Sequence, residues 1–394
     1  MNKIGDVKNK NILLLQGPMG DFFKKLGVFL EEKGANVYKI GFNLGDYYYH
    51  DKKNLYSFKG KPKEWKKYIK NFLTKNNIDK IILFSDCRFY HKIAIKEAKK
   101  RGIEVYVFEE GYVRPDFVTF EKFGVNHFSS IPRNPEFYYN LKDIKLNKKV
   151  KPANSSFFKR AKSAAIYYII AYLGYPLYPN YRHHRELNPF KEFFYGLRSG
   201  YRKVKYSFLE KNKLEELKNL KYFFVPLQTY NDFQIRTHSD FKSIEKFIEY
   251  VMKSFSKNAP KEVFLVFKHH PMDRGRKDYK KYIYSLAREL GMEKRVMVLY
   301  DVHLPSILKN TLGTVTINST VGFQALYHSS PVKVLGRSIY DMEGLTDQKP
   351  LDEFWKDPKK PDKELYYRFR TYLINNSQIN GSFYGYFDFE SLIK

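Results

Sequence analysis

Glu262-Val-Phe-Leu-Val-Phe-Lys268-His269-His270-Pro271 and Gly313-Thr-Val-Thr-Ile-Asn318-Ser319-Thr320-Val321-Gly322 are the stretches that decide the fold. Each is a short apolar run rich in β-branched and aromatic residues. Each stops abruptly at polar residues and is followed by a helical pattern, so each reads as a strand, a turn and a helix start. In an open α/β sheet, ligands bind at the carboxyl ends of the strands, where loops meet helix N-termini. A Lys-His-His-Pro turn beside an Asn-Ser-Thr helix start is therefore expected to receive a phosphorylated donor. Hydroxyls and backbone N–H groups at the helix start donate to the phosphate, and the helix dipole favours its charge.

Working outward, the same block supplies strands at Tyr222–Leu227, Val263–Phe267, Val296–Leu299, Thr314–Ile317 and Val332–Leu335. Helical patterns lie at Lys242–Ser256, Tyr279–Leu290, Leu304–Lys309 and Val321–His328. The first 125 residues alternate in the same way. Strands are expected at Asn11–Gln16, Asn36–Phe42, Lys80–Ser85 and Glu104–Phe108, and helices at Asp21–Lys33, Trp65–Asn76 and Lys92–Arg101. A long polar, Tyr-rich loop carries Gly45-Asp46. Repeated β-α-β units with right-handed crossovers predict two Rossmann-like domains facing across a cleft, a GT-B-like α/β architecture. The expected domains are 1–215, 216–350 for the donor, and a helical segment 351–394 returning to the first domain.

Residues 140–215 interrupt the alternation with a basic, aromatic insertion. Within it, Ala164–Tyr178 is apolar and is flanked by Lys159-Arg160 and Arg182-His183-His184-Arg185. Two roles fit: helices covering an edge of the first sheet, or an interfacial patch resting on anionic lipid. The flanking cations favour the second.

The chain has 394 residues, enough for two domains, and is 43% hydrophobic and 18% aromatic, enough for real cores. Its single cysteine, Cys87, excludes an internal disulfide framework and cysteine-cluster metal sites, and suits a reducing cytosolic compartment. No signal peptide is read: residues 1–10 are polar, and the run Ile12–Leu15 ends at Gln16-Gly17-Pro18 as a strand would. No stretch reaches the roughly 18–20 apolar residues that span a bilayer. A net charge of +29 attracts anionic membranes, nucleic acid and acidic glycans, although a general enrichment in Lys, Asn, Tyr, Phe and Ile explains part of it. The lysines are dispersed and no nucleic-acid-binding signature is present, so nucleic acid is not expected as a partner.

Several polar groups are candidates for chemistry. Gly17-Pro18-Met19-Gly20 follows the first strand and either lets a ligand approach the backbone or is simply a tight turn; it lacks dinucleotide-binding spacing. Glu109-Glu110 ends the fourth strand. Crowded carboxyls there raise one pKa, as a general acid or base needs, unless the turn is merely exposed; Arg114 is their partner or an anion contact. The loop after Leu227 holds Gln228, Asp232, Arg236 and His238; Asp232 can serve as base or nucleophile, and Arg236 and His238 can bind a sugar carboxylate. In the Lys268-His269-His270-Pro271 turn the two imidazoles alternate faces, so at most one need meet a ligand, and His270 is preferred with Lys268 as the anion contact. Asn318, Ser319 and Thr320 cap the second helix, an ordinary structural choice that gains weight from its neighbours. No metal-binding spacing accompanies these residues, and no metal or other cofactor is expected.

In this order the segments resemble the capsule polysaccharide β-Kdo transferases of Gram-negative bacteria, the KpsS/KpsC type. The resemblance runs from Gln16-Gly-Pro-Met-Gly-Asp-Phe-Phe and Gly41-Phe-Asn-Leu-Gly-Asp46 through Glu109-Glu-Gly-Tyr-Val-Arg-Pro115 and Leu227-Gln-Thr-Tyr-Asn-Asp232 with Gln234-Ile-Arg-Thr-His-Ser239. It continues through Lys268-His-His-Pro271 to Asn318-Ser-Thr-Val-Gly-Phe-Gln-Ala-Leu326. One-module length and the Gly-Pro-Met-Gly start look more like the initiating KpsS type than the two-module KpsC extender. The resemblance implies a metal-independent, retaining transferase that moves Kdo from CMP-β-Kdo to (lyso)phosphatidylglycerol at the cytoplasmic face of the inner membrane. A KpsC-like enzyme and the capsule export complex are the implied partners. It implies that Lys268, His270, Ser319 and Thr320 hold the donor's phosphate and carboxylate, that Asp232 is the nucleophile, and that Glu110, before Glu109, is the acid/base. The stretch Thr229-Tyr230-Asn231 does not match the family closely, which bears on Asp232. The alternatives are another nucleotide-sugar transferase of the same fold and a non-catalytic export or scaffold component.

Overall fold

The computed structural model describes residues 3–142, 144–146, 149–183, 188–230, 235 and 238–393. The chain divides into two compact units. Unit one is Met1–Ile131, Lys145–Pro189 and Arg370–Lys394; unit two is Pro132–Ile144 and Phe190–Phe369.

Unit one begins β1 (Asn11–Leu14), α1 (Phe22–Glu32), β2 (Asn36–Gly41), α2 (Leu44–Tyr48), β3 (Leu55–Ser57), α3 (Trp65–Lys75), β4 (Lys80–Phe84), α4 (Phe89–Lys99), β5 (Glu104–Glu110) and β6 (Phe117–Lys122). The strands β3-β2-β1-β4-β5 are parallel in that order, and β6 follows antiparallel to β5. Side chains alternate across a strand, so Ile12 and Leu14 join Phe22, Phe23 and Phe108 on one face. Leu13 and Leu15 join Trp65, Ile81 and Leu83 on the other. Burial on both faces is why these strands read as unbroken apolar runs.

The Tyr-rich loop expected after β2 is instead α2 and β3. Asn43 caps α2, its Oδ1 accepting from the Asp46 N–H at 3.0 Å. Five helical and three extended residues are too short to leave a periodicity. Next come α5 (Pro135–Tyr139), α6 (Phe157–Leu173), α7 (Pro189–Leu209) and α8 (Lys213–Lys218). The apolar run Ala164–Tyr178 falls on α6 and the turn after it. Tyr167, Tyr168 and Ala171 are buried, whereas Ile169 and Leu173 are exposed, so one side of this helix covers unit one and the other does not. The insertion is divided between the units, with 140–144 and 190–215 in unit two and 145–189 in unit one, so the first unit does not run on to 215.

Unit two holds β7 (Tyr222–Pro226), α9 (Ile244–Asn258), β8 (Phe264–Lys268), α10 (Lys280–Glu289), β9 (Val296–Leu299), α11 (Leu304–Asn310), β10 (Gly313–Thr316), α12 (Thr320–Tyr327), β11 (Val332–Val334) and α13 (Leu351–Phe354). All five strands are parallel, in the order β11-β10-β7-β8-β9. The chain winds outward from β7 to β9, then crosses back to β10 and β11, so the direction of winding reverses between β7 and β10. Phe223, Val225, Leu265 and Phe267 pack under α9 with Phe354 and Trp355, whose indole N–H donates to Ser254 Oγ at 2.8 Å. Residues 351–369 thus stay in unit two, and the return expected from 351 begins at Arg370, inside α14 (Lys363–Ser377). The chain then adds β12 (Gln378–Asn380) antiparallel to β6.

Gln378 fastens that last strand. Its buried side chain accepts from the Tyr112 N–H at 3.0 Å and donates to Thr119 Oγ1 at 3.1 Å. Gln378→Ala strands the buried Tyr112 N–H, and thermal unfolding of this variant is expected to show a loss of about 2 kcal/mol. An unchanged melting temperature would show that the Gln378 side chain does not fasten β12.

Candidate functional site

In unit two the polar residues gather where the winding reverses. Gln228, just past β7, and Asn318, just past β10, are joined reciprocally. Gln228 Nε2 donates to Asn318 Oδ1 at 3.0 Å, and the Asn318 N–H donates to Gln228 Oε1 at 3.4 Å. Asn318 Nδ2 also reaches the carbonyl of the buried His238 at 3.5 Å. Next along the chain, Ser319 caps α12, its Oγ accepting from the Val321 N–H at 3.2 Å, while its carbonyl accepts from the Tyr340 hydroxyl. Gly322 has no substitute in this first turn, because a Cβ there would lie 2.3 Å from Tyr340 Oη. Asn318, Ser319 and Thr320 are all half-buried at the open end of the sheet.

One strand further on, β8 ends in the basic turn. Lys268 is buried, and its ammonium donates to the Tyr300 carbonyl at 2.9 Å. Burial lowers its pKa, opposed by the charges of Asp301 and Glu210. His269 is enclosed: its ring stacks on Tyr300 at 4.7 Å and on Tyr279 at 5.6 Å, and Nε2 accepts from the Tyr279 N–H at 3.3 Å. Burial pushes its imidazole down to about 4, so it is neutral at physiological pH. His269, one of the expected donor-binding residues, is therefore enclosed in the wall of the turn. His270 is half-exposed and caps the short turn of helix Pro271–Asp273, with Nδ1 accepting from the Met272 N–H at 3.2 Å. The faces alternate as the strand period requires, and His270 is the imidazole left outside.

Unit one gathers a second cluster, again at a reversal of winding, here between β1 and β4. Gln16 Nε2 donates to Asp46 and to the hydroxyls of Tyr167 and Tyr181 at 3.0 and 2.9 Å. Arg88 Nη1 donates to Gln16 Oε1 at 3.0 Å and to the Gly17 carbonyl at 3.2 Å. Burial raises the pKa of Asp46 despite bonds from the Phe42 N–H, Gln16 and Tyr167. Burial also raises Asp86, which accepts from the Val125 N–H at 2.9 Å. At the end of β5, burial pushes Glu109 up to about 7, helped by Asp86 and Glu110 and opposed by the Glu110 N–H and Arg88. Glu110 lies 3.6 Å from Arg160, and Arg114 is exposed, its Nε donating to the Gly111 carbonyl at 3.1 Å. Gly17 answers to packing, since a Cβ there would lie 2.5 Å from the Phe23 ring. Gly20 has φ +128° and sits against Ser163, with the buried Pro18 and half-buried Met19 between them.

Unit two therefore brings together Gln228, His238, Lys268, His270, Pro271, Asn318, Ser319 and Thr320. Asp232 and Arg236 lie outside the described residues. Sequence reasoning passed over Asp86 and Arg88, although both follow β4 as directly as the Lys-His-His turn follows β8; the same strand-end rule finds them. Asp273, buried and accepting from the Tyr230 N–H at 2.8 Å, gave no signal of its own.

Comparison with known proteins defines the class. Residues 79–384 match the family described as capsule polysaccharide biosynthesis protein, and the chain belongs to that family. It is 40% identical to the capsule polysaccharide export protein KpsS of Escherichia coli, over 96% of this chain and 98% of the relative. It is also 40% identical to the capsule polysaccharide modification protein LipB of Neisseria meningitidis serogroup A, over 95% of this chain and 92% of the relative. Among solved structures it is similar to the β-Kdo 2,7 transferase KpsC of Thermosulfurimonas dismutans, at a TM-score of 0.43 and 14% identity over 91% of this chain and 89% of that one.

Glu109 carries a pH signature. Its folded pKa, about 7, exceeds that of an unfolded glutamate, so between the two values the folded chain holds the extra proton. Its contribution to stability is full below the unfolded pKa and is lost as pH rises through 7. Unfolding free energy is expected to fall by on the order of 2 kcal/mol from pH ~5 to ~8, and Glu109→Gln to remove that slope. An identical slope in the variant would place the titration elsewhere.

Proposed function

We propose that this chain is a glycosyltransferase that moves Kdo from CMP-β-Kdo to a (lyso)phosphatidylglycerol acceptor, starting the poly-Kdo linker of a capsule polysaccharide. The observation that carries this is the convergence, at the ends of β7, β8 and β10, of hydrogen-bonding and cationic groups with a capped helix start. Such a site suits a donor with a phosphate and a carboxylate. Backbone N–H groups of α12, the hydroxyls of Ser319 and Thr320, His270 and Lys268 together meet the charge of the departing CMP. A metal is then unnecessary for that charge, and EDTA is expected to leave turnover unchanged.

Retention takes two displacements. The Asp232 carboxylate attacks C2 of Kdo while the C2–O bond to CMP breaks, and CMP leaves with the electron pair. The acceptor hydroxyl then attacks C2, passes its proton to a general base, and releases Asp232. Of the two carboxylates that end β5, Glu109 has the titration range for a proton-transfer role, whereas Glu110 lies by Arg160. Among the described residues no helix is long and apolar enough to cross a membrane. The acceptor accordingly calls for peripheral attachment to the cytoplasmic face of the inner membrane, beside a KpsC-like extending enzyme and the export complex.

Incubation with CMP-Kdo made in situ and lysophosphatidylglycerol is expected to add the mass of one Kdo to the lipid. Asp232→Asn should abolish the product, His270→Ala should lower turnover by about 10²-fold or more, and Ser319→Ala by about tenfold. Glu109→Gln should remove the limb of the pH profile near 7 that Glu110→Gln leaves in place. Turnover with a different nucleotide sugar and none with CMP-Kdo would contradict the donor. Full capsule assembly by Asp232→Asn would contradict catalysis altogether.

A further inference from the structure

α7 is amphipathic with its faces reversed. Its half-buried residues, Glu192, Tyr195, Ser199, Arg202 and Tyr206, followed by Glu210, recur every three or four positions and meet the rest of unit two. The contacts there are polar or aromatic. Arg202 Nη1 donates to the Arg274 carbonyl at 2.8 Å, and Nη2 lies 3.4 Å from Asp278. Arg276 pairs with Glu192 and stands 5.3 Å from the centre of the Tyr195 ring. Tyr206 stacks on Tyr300 at 3.8 Å, and Glu210 accepts from the N–H groups of Tyr300 and Asp301 at 2.9 and 2.7 Å. A Cβ on Gly275 would lie 2.1 Å from the Tyr195 carbonyl oxygen, so the loop and the helix are in close contact.

The opposite face is apolar and open. Phe193, Phe194, Leu197, Tyr201, Val204 and Phe208 are 57% to 74% exposed, and no residue of α7 is buried. At about 100° per residue they fill an arc of about 100°, opposite the polar contacts. A surface helix ordinarily puts its apolar stripe inward, and an exposed stripe of this size marks a docking surface. Charge identifies the occupant. Arg198 and Lys205 border the stripe on one side and Lys203 lies beyond it on the other, and none of the three enters an ion pair among the described residues. The helix's one acid, Glu192, is taken by Arg276. Six charged residues in 21 keep the helix from spanning a bilayer, but bulky apolar residues edged by cations suit one lying in the headgroup plane.

We propose that α7 is an interfacial helix that rests its outer face on an anionic lipid bilayer. The inference deepens the lipid-acceptor assignment above and rests on it for the identity of the surface, but its test needs no sugar donor. The braced segments, Arg274–Asp278 and Tyr300, follow β8 and β9, and Tyr300 both stacks on His269 and receives Lys268. Membrane docking and support of the donor turn therefore fall on opposite faces of one helix.

The full chain should float with phosphatidylcholine vesicles containing phosphatidylglycerol, less so as salt is raised, and not with phosphatidylcholine alone. L197E/V204E should weaken that binding by about tenfold or more without shifting the melting temperature, because both side chains are exposed. In F194W, the new indole should shift to the blue on anionic vesicles and be quenched by brominated acyl chains, against a constant background from the buried Trp65 and Trp355. Unaltered vesicle binding by L197E/V204E overturns the proposal, as does an unquenched F194W on bound vesicles. A dimer of the unsubstituted chain that L197E/V204E converts to monomer also overturns it, in favour of a second copy on this face. Vesicle binding lost in L197E/V204E from a chain with no Kdo transfer supports the proposal while removing the enzymatic assignment. Kdo transfer with unaltered binding by L197E/V204E does the reverse.

Discussion

The reciprocal hydrogen bonds between Gln228 and Asn318 hold the point on which the proposed donor site of unit two depends. These residues end the two neighbouring strands between which the chain reverses its winding, so the crossovers on either side leave in opposite directions and a crevice opens at the carboxyl edge. With that pair fixed, the start of α12 is fixed, because Asn318 immediately precedes the capping Ser319. The next strand, β8, then delivers Lys268 and His270 to the same edge. Two amides thus do positional work that neither could do by charge.

The two units tune their ionisable groups in opposite senses by the same cause. In unit two, burial lowers the basicity of Lys268 and His269, and neighbouring Asp301 and Glu210 act to keep the lysine charged. The result is a buried lysine near Arg274, supported by acidic neighbours, beside an enclosed, neutral imidazole. In unit one, burial raises Asp46, Asp86 and Glu109, with Arg88 acting against the first and the last. Of these, Glu109, raised to about 7, is the carboxyl that exchanges its proton near neutrality. Desolvation therefore lowers the basic groups at the strand ends of one unit and raises the acidic groups at those of the other.

Much of this was legible in the sequence because buried parallel strands leave an unmistakable mark: an apolar run that ends in polar residues. The strands β1, β2, β4, β5 and β7 to β11 were all found in that way, and the Lys-His-His turn and the Asn-Ser-Thr cap with them. What escaped was short or depended on distant partners. α2 and β3 are too brief for periodicity, and β6 and β12 pair antiparallel at an edge through residues some 260 positions apart, such as Gln378 and Thr119. The roles of Tyr167 and His269 also depend on tertiary neighbours. One supports Asp46 from within an apolar run; the other is enclosed by two tyrosines. Composition showed that residues 140–215 were unusual, but only the structure divides them between units and shows which face of α7 is turned outward.

The central claim is that the activated donor is bound at the reversal point of unit two. A crystal structure with cytidine monophosphate tests it most directly. The phosphate should lie within hydrogen-bonding distance of the Ser319 and Thr320 hydroxyls or the first N–H groups of α12, with His270 beside it. A nucleotide bound away from the ends of β7, β8 and β10, with this edge filled only by water, would contradict the account.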